Sequence, residues 1–499
     1  MRLFLVAAAL AVALVPGASA QSPMGRFFFF GPAVISPNGN GINDVLHVKT
    51  SGPSDLHVYG WGGRLHGWHA IATGADWAAL HDGTYQVTAC FKDRGRRLPV
   101  AIPPAEQRPG AAEATVSRPP WRWSGCLAKP RVVRVERLAA YVDSAKSYTP
   151  GSRPPLVVSA DRGQATTKLV DDCSGRVHHG SVLPGGLASG LYHYDVTDPA
   201  GDRFRAPVVV RNSTFPLDHP PPHTALLVWP YLTWRAYNAY DADLNGVPDS
   251  WYQFWRQRRV SLVGTILPGG QEDDHQAALP FSGWLCSRKP SVESITDVEL
   301  RDVPLATLRR YAAIVFPGHS EYYEPGTYDL LKRYRDEGGK LVFLQANPFY
   351  RQVRLDRDHN AMVMTDLDAR EGRSDFALAG VGYDGCCFPR SRARPYVAAI
   401  GADFARVRWL FRGTGIGPGQ SFGYAGSESD RIDPELTPRD HVVAARAIVA
   451  GKRGVINAAL VWTRAGRGET FATGNYDFLR MRRSLTWTLL DNVWRKLVG

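Results

Sequence analysis

The stretch Ala312–Asn347, AAIVFPGHSEYYEPGTYDLLKRYRDEGGKLVFLQAN, constrains the fold more than any other part of the chain. Ala312–Phe316 is a short apolar run of the kind a buried strand makes, and Pro317-Gly318 ends it. His319, Ser320, Glu321, Tyr322 and Tyr323 follow on a loop. Pro325 suits the first turn of a helix, where its missing N–H costs nothing. Tyr328, Leu331 and Tyr334 recur at helical spacing, and Gly338-Gly339 supplies the stop. Leu341–Leu344 is a second buried strand, running into Gln345-Ala346-Asn347. Two apolar strands joined by a helix predict a parallel pair with a right-handed crossover. In such sheets ligands bind beyond the carboxyl ends of the strands, where His319, Glu321 and Asn347 stand.

A chain of 499 residues is too long for one ordinary core, and 49 Gly and 36 Pro favour turn-rich β content in part of it. Met1–Ala20 reads as a secretory leader: Arg2, the apolar run Leu3–Val15, then Ala18-Ser19-Ala20. That run is too short to span a bilayer, no later segment is long and apolar enough, and no Cys follows directly to carry a lipid. A β module over 21–100, a Pro- and Ala-rich linker over 101–131 and a second β-sandwich module over 132–213 are expected. From Thr224 strands and helices alternate to the C-terminus, which predicts a three-layer α/β domain over 223–499.

Export changes the reading of the net charge of +12. Nucleic acid is then not an expected partner. The scattered arginines read as solvated faces, with attraction to an acidic cell-wall polymer as the alternative. Six cysteines in an exported chain point to disulfides rather than zinc; Cys90–Cys126 is the most local pairing, and the adjacent Cys386 and Cys387 are expected to pair outward.

Several motifs carry resemblances. SPNGNGINDV from Ser36 and DGTYQVTA from Asp82 resemble the immunoglobulin-like modules of secreted and flagellar-hook proteins. Asn38, Asn40 and Asp44 there offer oxygens to Ca²⁺ or simply form an Asx-turn. Farther on, TWRAYN (from Thr233), PGHSEYY (from Pro317) and FLQANPFY (from Phe343) together resemble the large (beta) subunit family of N,N-dimethylformamidase. SGLY at Ser189–Tyr192, APVVVR at Ala206–Arg211, FRGTGI at Phe411–Ile416, GSESDRID at Gly426–Asp433 and FATGN at Phe471–Asn475 extend the match in order.

The resemblance implies a glutamine-amidotransferase-like (flavodoxin-like) α/β domain without amidotransferase chemistry, since the turn at Ala346-Asn347 carries no Cys. It implies a mononuclear iron held by Tyr192, Tyr237 and Glu321, a water activated by that metal, and a small amide as substrate. It also implies His319 as a proton shuttle or water orienter, Asn347 as an oxyanion donor and Glu428 as a base or orienting carboxylate. Ser320 stands where the family has Asp, and a different loop follows TWRAYN. That loop, Ala239–Asp249, is close to a D-x-D-x-N-G-x-x-D calcium loop, with Asp241, Asp243, Asn245 and Asp249 as ligands and Gly246 at the turn.

Two functions fit these residues: a secreted iron-dependent hydrolase of an amide C–N bond, and a non-catalytic exported protein, with Ca²⁺-stabilised β modules, that recognises a cell surface or glycan. A Ser hydrolase is disfavoured because Gly318-His-Ser-Glu lacks the second Gly of a nucleophile elbow. The residues are compatible with a homo-oligomer and with a small partner subunit of the kind the resembled family carries.

Overall fold

The computed structural model describes residues 138–499, apart from 143–144, 161–162, 181, 212–214, 238–250, 252–258, 267–277, 366–372, 389–392 and 452–453. Before residue 138 it describes the backbone of strands only. The described part is mixed and sheet-rich with few helices, an organisation compatible with several domains.

Among the N-terminal strands, Phe27–Phe30 pairs antiparallel with His47–Thr50. A five-stranded sheet runs Val34–Ile35, Arg131–Val135, Gly83–Phe91, Leu56–Gly62, His69–Ala70. Arg131–Val135 therefore pairs back onto Gly83–Phe91, across the stretch read as a linker. The SPNGNGINDV loop, with Asn38, Asn40 and Asp44, lies outside the described residues.

The next unit is built from the Leu138–Val142 and Leu156–Ala160 hairpin and a four-stranded antiparallel sheet, Val177–His179, Thr166–Asp171, Gly190–Thr197, Arg203–Val210. The hairpin and the sheet bury Leu138, Ala140, Leu169, Tyr192, Tyr194 and Val208 between them. Strand alternation sends neighbouring side chains to opposite faces. Tyr192 and Tyr194 point into this core, while Leu191 and Val209 belong to the core of the following domain.

That following domain is a nine-stranded sheet. Its order is Val292–Thr296, Ala225–Trp229, Ala313–Phe316, Lys340–Phe343, Gly468–Ala472, Gly454–Ala465, Asp440–Gly451, Arg394–Ala398, Ser421–Ala425. The first five are mutually parallel and the rest antiparallel. Numbered along the chain, the parallel strands run 2-1-3-4-5, the order of a doubly wound sheet. The apolar runs in the sequence follow from burial on both faces. Ala225, Leu227 and Trp229 pack with the helices Leu279–Arg288 and Arg483–Leu497 on one side. Leu226 and Val228 pack with Tyr328, Leu331 and Tyr334 of the helix Pro325–Asp336 on the other. The expected strand–helix–strand unit is present, with its two strands paired in parallel.

The sandwich is held against the edge strand Val292–Thr296 by buried polar contacts. Ser189 Oγ donates to Glu293 Oε1 (3.0 Å), and Glu293 is 1% exposed. Glu299, whose carboxylate closes the capping box of the short helix Asp297–Leu300, also accepts the backbone N–H and the hydroxyl of Ser147, each at 2.9 Å. A disulfide, Cys173–Cys286, links the turn after Thr166–Asp171 to the helix Leu279–Arg288. Cys386 is disulfide-bonded too; the side chains of Cys90, Cys126 and Cys387 lie outside the described residues. Among the described residues no helix is long and apolar enough to cross a membrane. That finding and the disulfide are compatible with an exported protein.

Candidate active site at the sheet switch point

In a 2-1-3-4-5 sheet the chain reverses direction across strands 1 and 3, and the crevice beyond their carboxyl ends is open to a ligand. Strand 1, Ala225–Trp229, leads through Pro230 into the helix Tyr231–Ala236, with Tyr237 as its last turn residue. Strand 3, Ala313–Phe316, leads into Pro317-Gly318-His319-Ser320-Glu321. Gly318 is required by packing: a Cβ there would lie 2.7 Å from Pro230 Cγ. The two connections therefore press together, and Thr233 Oγ1 accepts the backbone N–H of Glu321 at 3.0 Å.

Asp297 fixes the start of the Tyr231–Ala236 helix, accepting the Leu232 N–H at 3.1 Å. Complete burial pushes its carboxyl well above the ordinary carboxylate range, against the opposing effect of these backbone donors. A carboxyl with a raised folded value contributes stability that is complete below its unfolded value near pH ~4 and is lost as pH rises through the folded value. Asp297→Asn removes that titration. The denaturation midpoint of the variant, followed from about pH 4 to neutrality, is expected to fall less with pH than that of the parent.

Side chains from these connections converge. The Tyr237 hydroxyl donates to Glu321 Oε2 in a short hydrogen bond. His319 is 2% exposed, stacks on the Tyr237 ring (centroids 5.8 Å apart) and meets the edge of Tyr476 at 5.2 Å. Its Nε2 lies 3.3 Å from Glu428 Oε2 and 4.0 Å from Glu321 Oε2. Asn347, beyond strand 4, holds a left-handed backbone (φ 56°) that a residue with a side chain seldom adopts. Asp430 sustains that conformation by accepting the Asn347 N–H with both oxygens, at 3.0 and 3.1 Å. Asn347 Nδ2 then donates to Glu428 Oε2 at 2.8 Å. One of its two side-chain N–H bonds is thereby committed, and its buried Oδ1 has no hydrogen-bond partner among the described residues.

Asp430 is fully buried; burial pushes its carboxyl well above the ordinary range, and Asp375 and Glu428 add to the shift. Its backbone N–H goes to Gly474 O (3.0 Å), and Gly474 (φ 52°) has no room for a Cβ, which would sit 2.4 Å from Ala459 O. At the rim, Tyr350 and Tyr383 pack ring to ring at 4.8 Å, and Arg351 lies over Tyr350 at 4.7 Å. Burial, and after it Glu428, pushes the Tyr383 phenol up to about 12.

The structure thus brings together Tyr237, His319, Glu321, Asn347 and Glu428. It places Tyr192 in the sandwich core, 2% exposed, with its hydroxyl donating to Ala188 O at 3.0 Å. Burial and the nearby Asp171 push that phenol far above its ordinary range, which opposes a phenolate there. The physical reason is strand alternation: Leu191, not Tyr192, faces the α/β domain. Asp241, Asp243, Asn245 and Asp249 lie outside the described residues. Thr233, Arg351, Tyr383, Asp430 and Tyr476 were not singled out from the sequence. Thr233 and Asp430 do sit inside the TWRAYN and GSESDRID strings; Arg351, Tyr383 and Tyr476 carry no local signal.

A doubly wound sheet with carboxylates, an imidazole and a phenol at its switch point defines an α/β protein with a buried polar cluster there. Residues 133–481 match the family model described as N,N-dimethylformamidase beta subunit-like, C-terminal, and the chain belongs to that family. A search of the curated proteins finds no match. Among solved structures, the chain is similar to a catalytic mutant of a GH42 beta-galactosidase from G. stearothermophilus, at 15% identity and TM-score 0.31, covering 56% of this chain and 30% of that one. A beta-galactosidase from Bacillus circulans sp. alkalophilus gives 12% identity, TM-score 0.32, and 55% and 31% coverage. The chain thus spans about a third of the length of these structures, and likenesses this weak carry no argument.

Proposed function

We propose that the cluster at the switch point hydrolyses an amide C–N bond. The observation that carries the reading is the convergence of Tyr237, Glu321, His319 and Glu428 beyond strands 1 and 3 in a chain of the dimethylformamidase-like family. Phenol, carboxylate and a buried amide oxygen are hard donors that suit a hard cation such as ferric iron. The donor set fits such an ion through Tyr237 and Glu321, with His319, Glu428 and Asn347 Oδ1 beside them; Tyr192 stands outside it. Bound there, iron would supply Lewis acidity toward a carbonyl oxygen and toward water.

The chain's own groups supply the rest. Glu428 accepts from Asn347 and faces His319, so it holds the imidazole in place. His319 Nε2 can then take a proton from the attacking water and pass it to the departing amine nitrogen. The uncommitted N–H of Asn347 is left to donate to a developing oxyanion. The amidotransferase-like fold name and secretion belong to this proposal as well, supported by the parallel strand order and the disulfide.

The test pairs metal analysis with an amide panel. Near-stoichiometric iron in the parent, lost in Tyr237→Phe and kept in Tyr192→Phe, is the expected result. Calcium without iron in the parent, together with no turnover of any amide, would sink the hydrolase and favour the exported binding protein.

A further inference from the structure

We propose that this site takes an amide that carries a carboxylate, and that Arg351 is the residue that recognises the anion. The inference rests on the amide-hydrolase reading and adds a substrate class to it.

Arg351 opens the strand Arg351–Asp356, which runs parallel to Tyr322–Tyr323 directly after Glu321. Its backbone N–H donates to Glu321 O at 2.9 Å, so its position relative to the cluster is set by the main chain. The guanidinium is ion-paired with Glu321 but not hydrogen-bonded to it. Its Nε is 3.7 Å from Glu321 Oε1, beyond hydrogen-bond distance, and its side chain is 25% exposed in a rim whose floor, Glu321, is 5% exposed.

The Arg351 Cζ lies 4.7 Å from the Tyr350 ring centroid, a cation–π contact. Stacking uses the face of the guanidinium and leaves its in-plane N–H fork for a carboxylate, the geometry in which arginine binds such groups bidentately. Two other arginines, Arg373 and Arg301, are hydrogen-bonded to carboxylates. Arg373 donates to both oxygens of Asp329 at 3.0 and 2.8 Å, and Arg301 donates to Glu324 at 2.7 Å.

The surroundings agree. Tyr350 packs on Tyr383, and Tyr383 is close enough to Glu428, Glu321 and Arg351 for all three charges to act on its phenol. Arg351 therefore borders the same space as the two carboxylates. That phenol stays protonated at neutral pH and is a second donor beside the arginine. An anionic amide would be repelled by Glu321 and Glu428 unless a cation offset them, and Arg351 is placed to do so.

The experiment uses the purified full chain with its metal content measured. N-acetylglycine and succinamic acid are compared with their methyl esters, by calorimetric binding and by turnover. The same comparison is made for Arg351→Gln and, as a control, Arg373→Gln. The acids are expected to bind at least about ten-fold more tightly than the esters. The ratio should fall near one in Arg351→Gln and be unchanged in Arg373→Gln, and the change in turnover should appear in KM rather than kcat.

Equal affinity for acid and ester in the parent, or no detectable binding of either, overturns the inference, whatever the turnover. A ratio that survives Arg351→Gln overturns the assignment to Arg351. Selective binding of the acids with no hydrolysis supports the anion site and removes the hydrolase reading, so the two can fail separately.

Discussion

Glu321→Ala is expected to abolish amide hydrolysis and metal retention together, with the fold intact. Glu321 is the side chain on which the cluster converges: Tyr237 donates to it, His319 Nε2 lies 4.0 Å away, and Arg351 faces its other oxygen. Removing an inner carboxylate deletes a charged donor that no neighbour replaces. The loss in kcat is expected to reach at least 10³-fold, the order seen when an electrostatic centre of an active site is removed. Stability is predicted to change by no more than about 1 kcal/mol. The backbone N–H of Glu321 keeps its bond to Thr233. Activity, iron content and a urea midpoint on the same preparation check the three parts. Retained iron with activity lost would mean that Glu321 acts on substrate or proton instead of holding the metal; retained activity would dismiss the site.

The second large effect concerns the Cys173–Cys286 disulfide. It closes a sequence separation of 113 residues, from the sandwich across to the helix Leu279–Arg288. A cross-link over a loop of that size restrains the unfolded chain by up to about 4.7 kcal/mol in the chain-entropy account. The double variant Cys173→Ser, Cys286→Ser is expected to lose several kcal/mol of that, read as a lower midpoint in denaturant. The turn itself should persist, because Asp171 still accepts the Cys173 N–H at 2.9 Å and the Ser174 hydroxyl at 2.6 Å. Dithiothreitol should lower the parent's midpoint far more than the variant's. Ser189 to Glu293 and Ser147 to Glu299 also hold the sandwich in register, with net contributions of about 1 kcal/mol each, beside the packing of Leu191 and Val209.

A further consequence concerns Gly474. Its left-handed backbone and the 2.4 Å approach to Ala459 O leave no room for alanine, and its carbonyl takes the Asp430 N–H. Gly474→Ala is expected to cost roughly 1–3 kcal/mol and to lower activity by shifting Asp430, and through it Asn347. A variant that is destabilised but fully active would show that Asp430 does not position the site.

Much of this was legible along the chain because it is local. The apolar runs of Ala312–Phe316 and Leu341–Leu344, the spacing of Tyr328, Leu331 and Tyr334, and the Pro and Gly stops specify a strand–helix–strand unit with no reference to anything distant. Such a unit puts His319, Glu321 and Asn347 at strand ends by geometry alone. The motif strings also held Thr233, Tyr237, Glu428 and Asp430, with roles implied for Tyr237 and Glu428 alone.

Only the tertiary structure decided which of these side chains meet. Tyr192 sits in a motif, but a period of two along its strand turns it into the sandwich core and Leu191 outward, and the facing partner cannot be known before the domains dock. Arg351 and Tyr383 are distant in sequence from one another and reach the same rim through parallel pairing after Glu321 and through the Gly382–Phe388 strand. Asp430 supports Asn347 from 83 residues away. Sequence fixes local geometry because hydrogen bonding and hydrophobic period are short-range; a site assembled at the switch point of a sheet depends on long-range strand order, which no local signal carries.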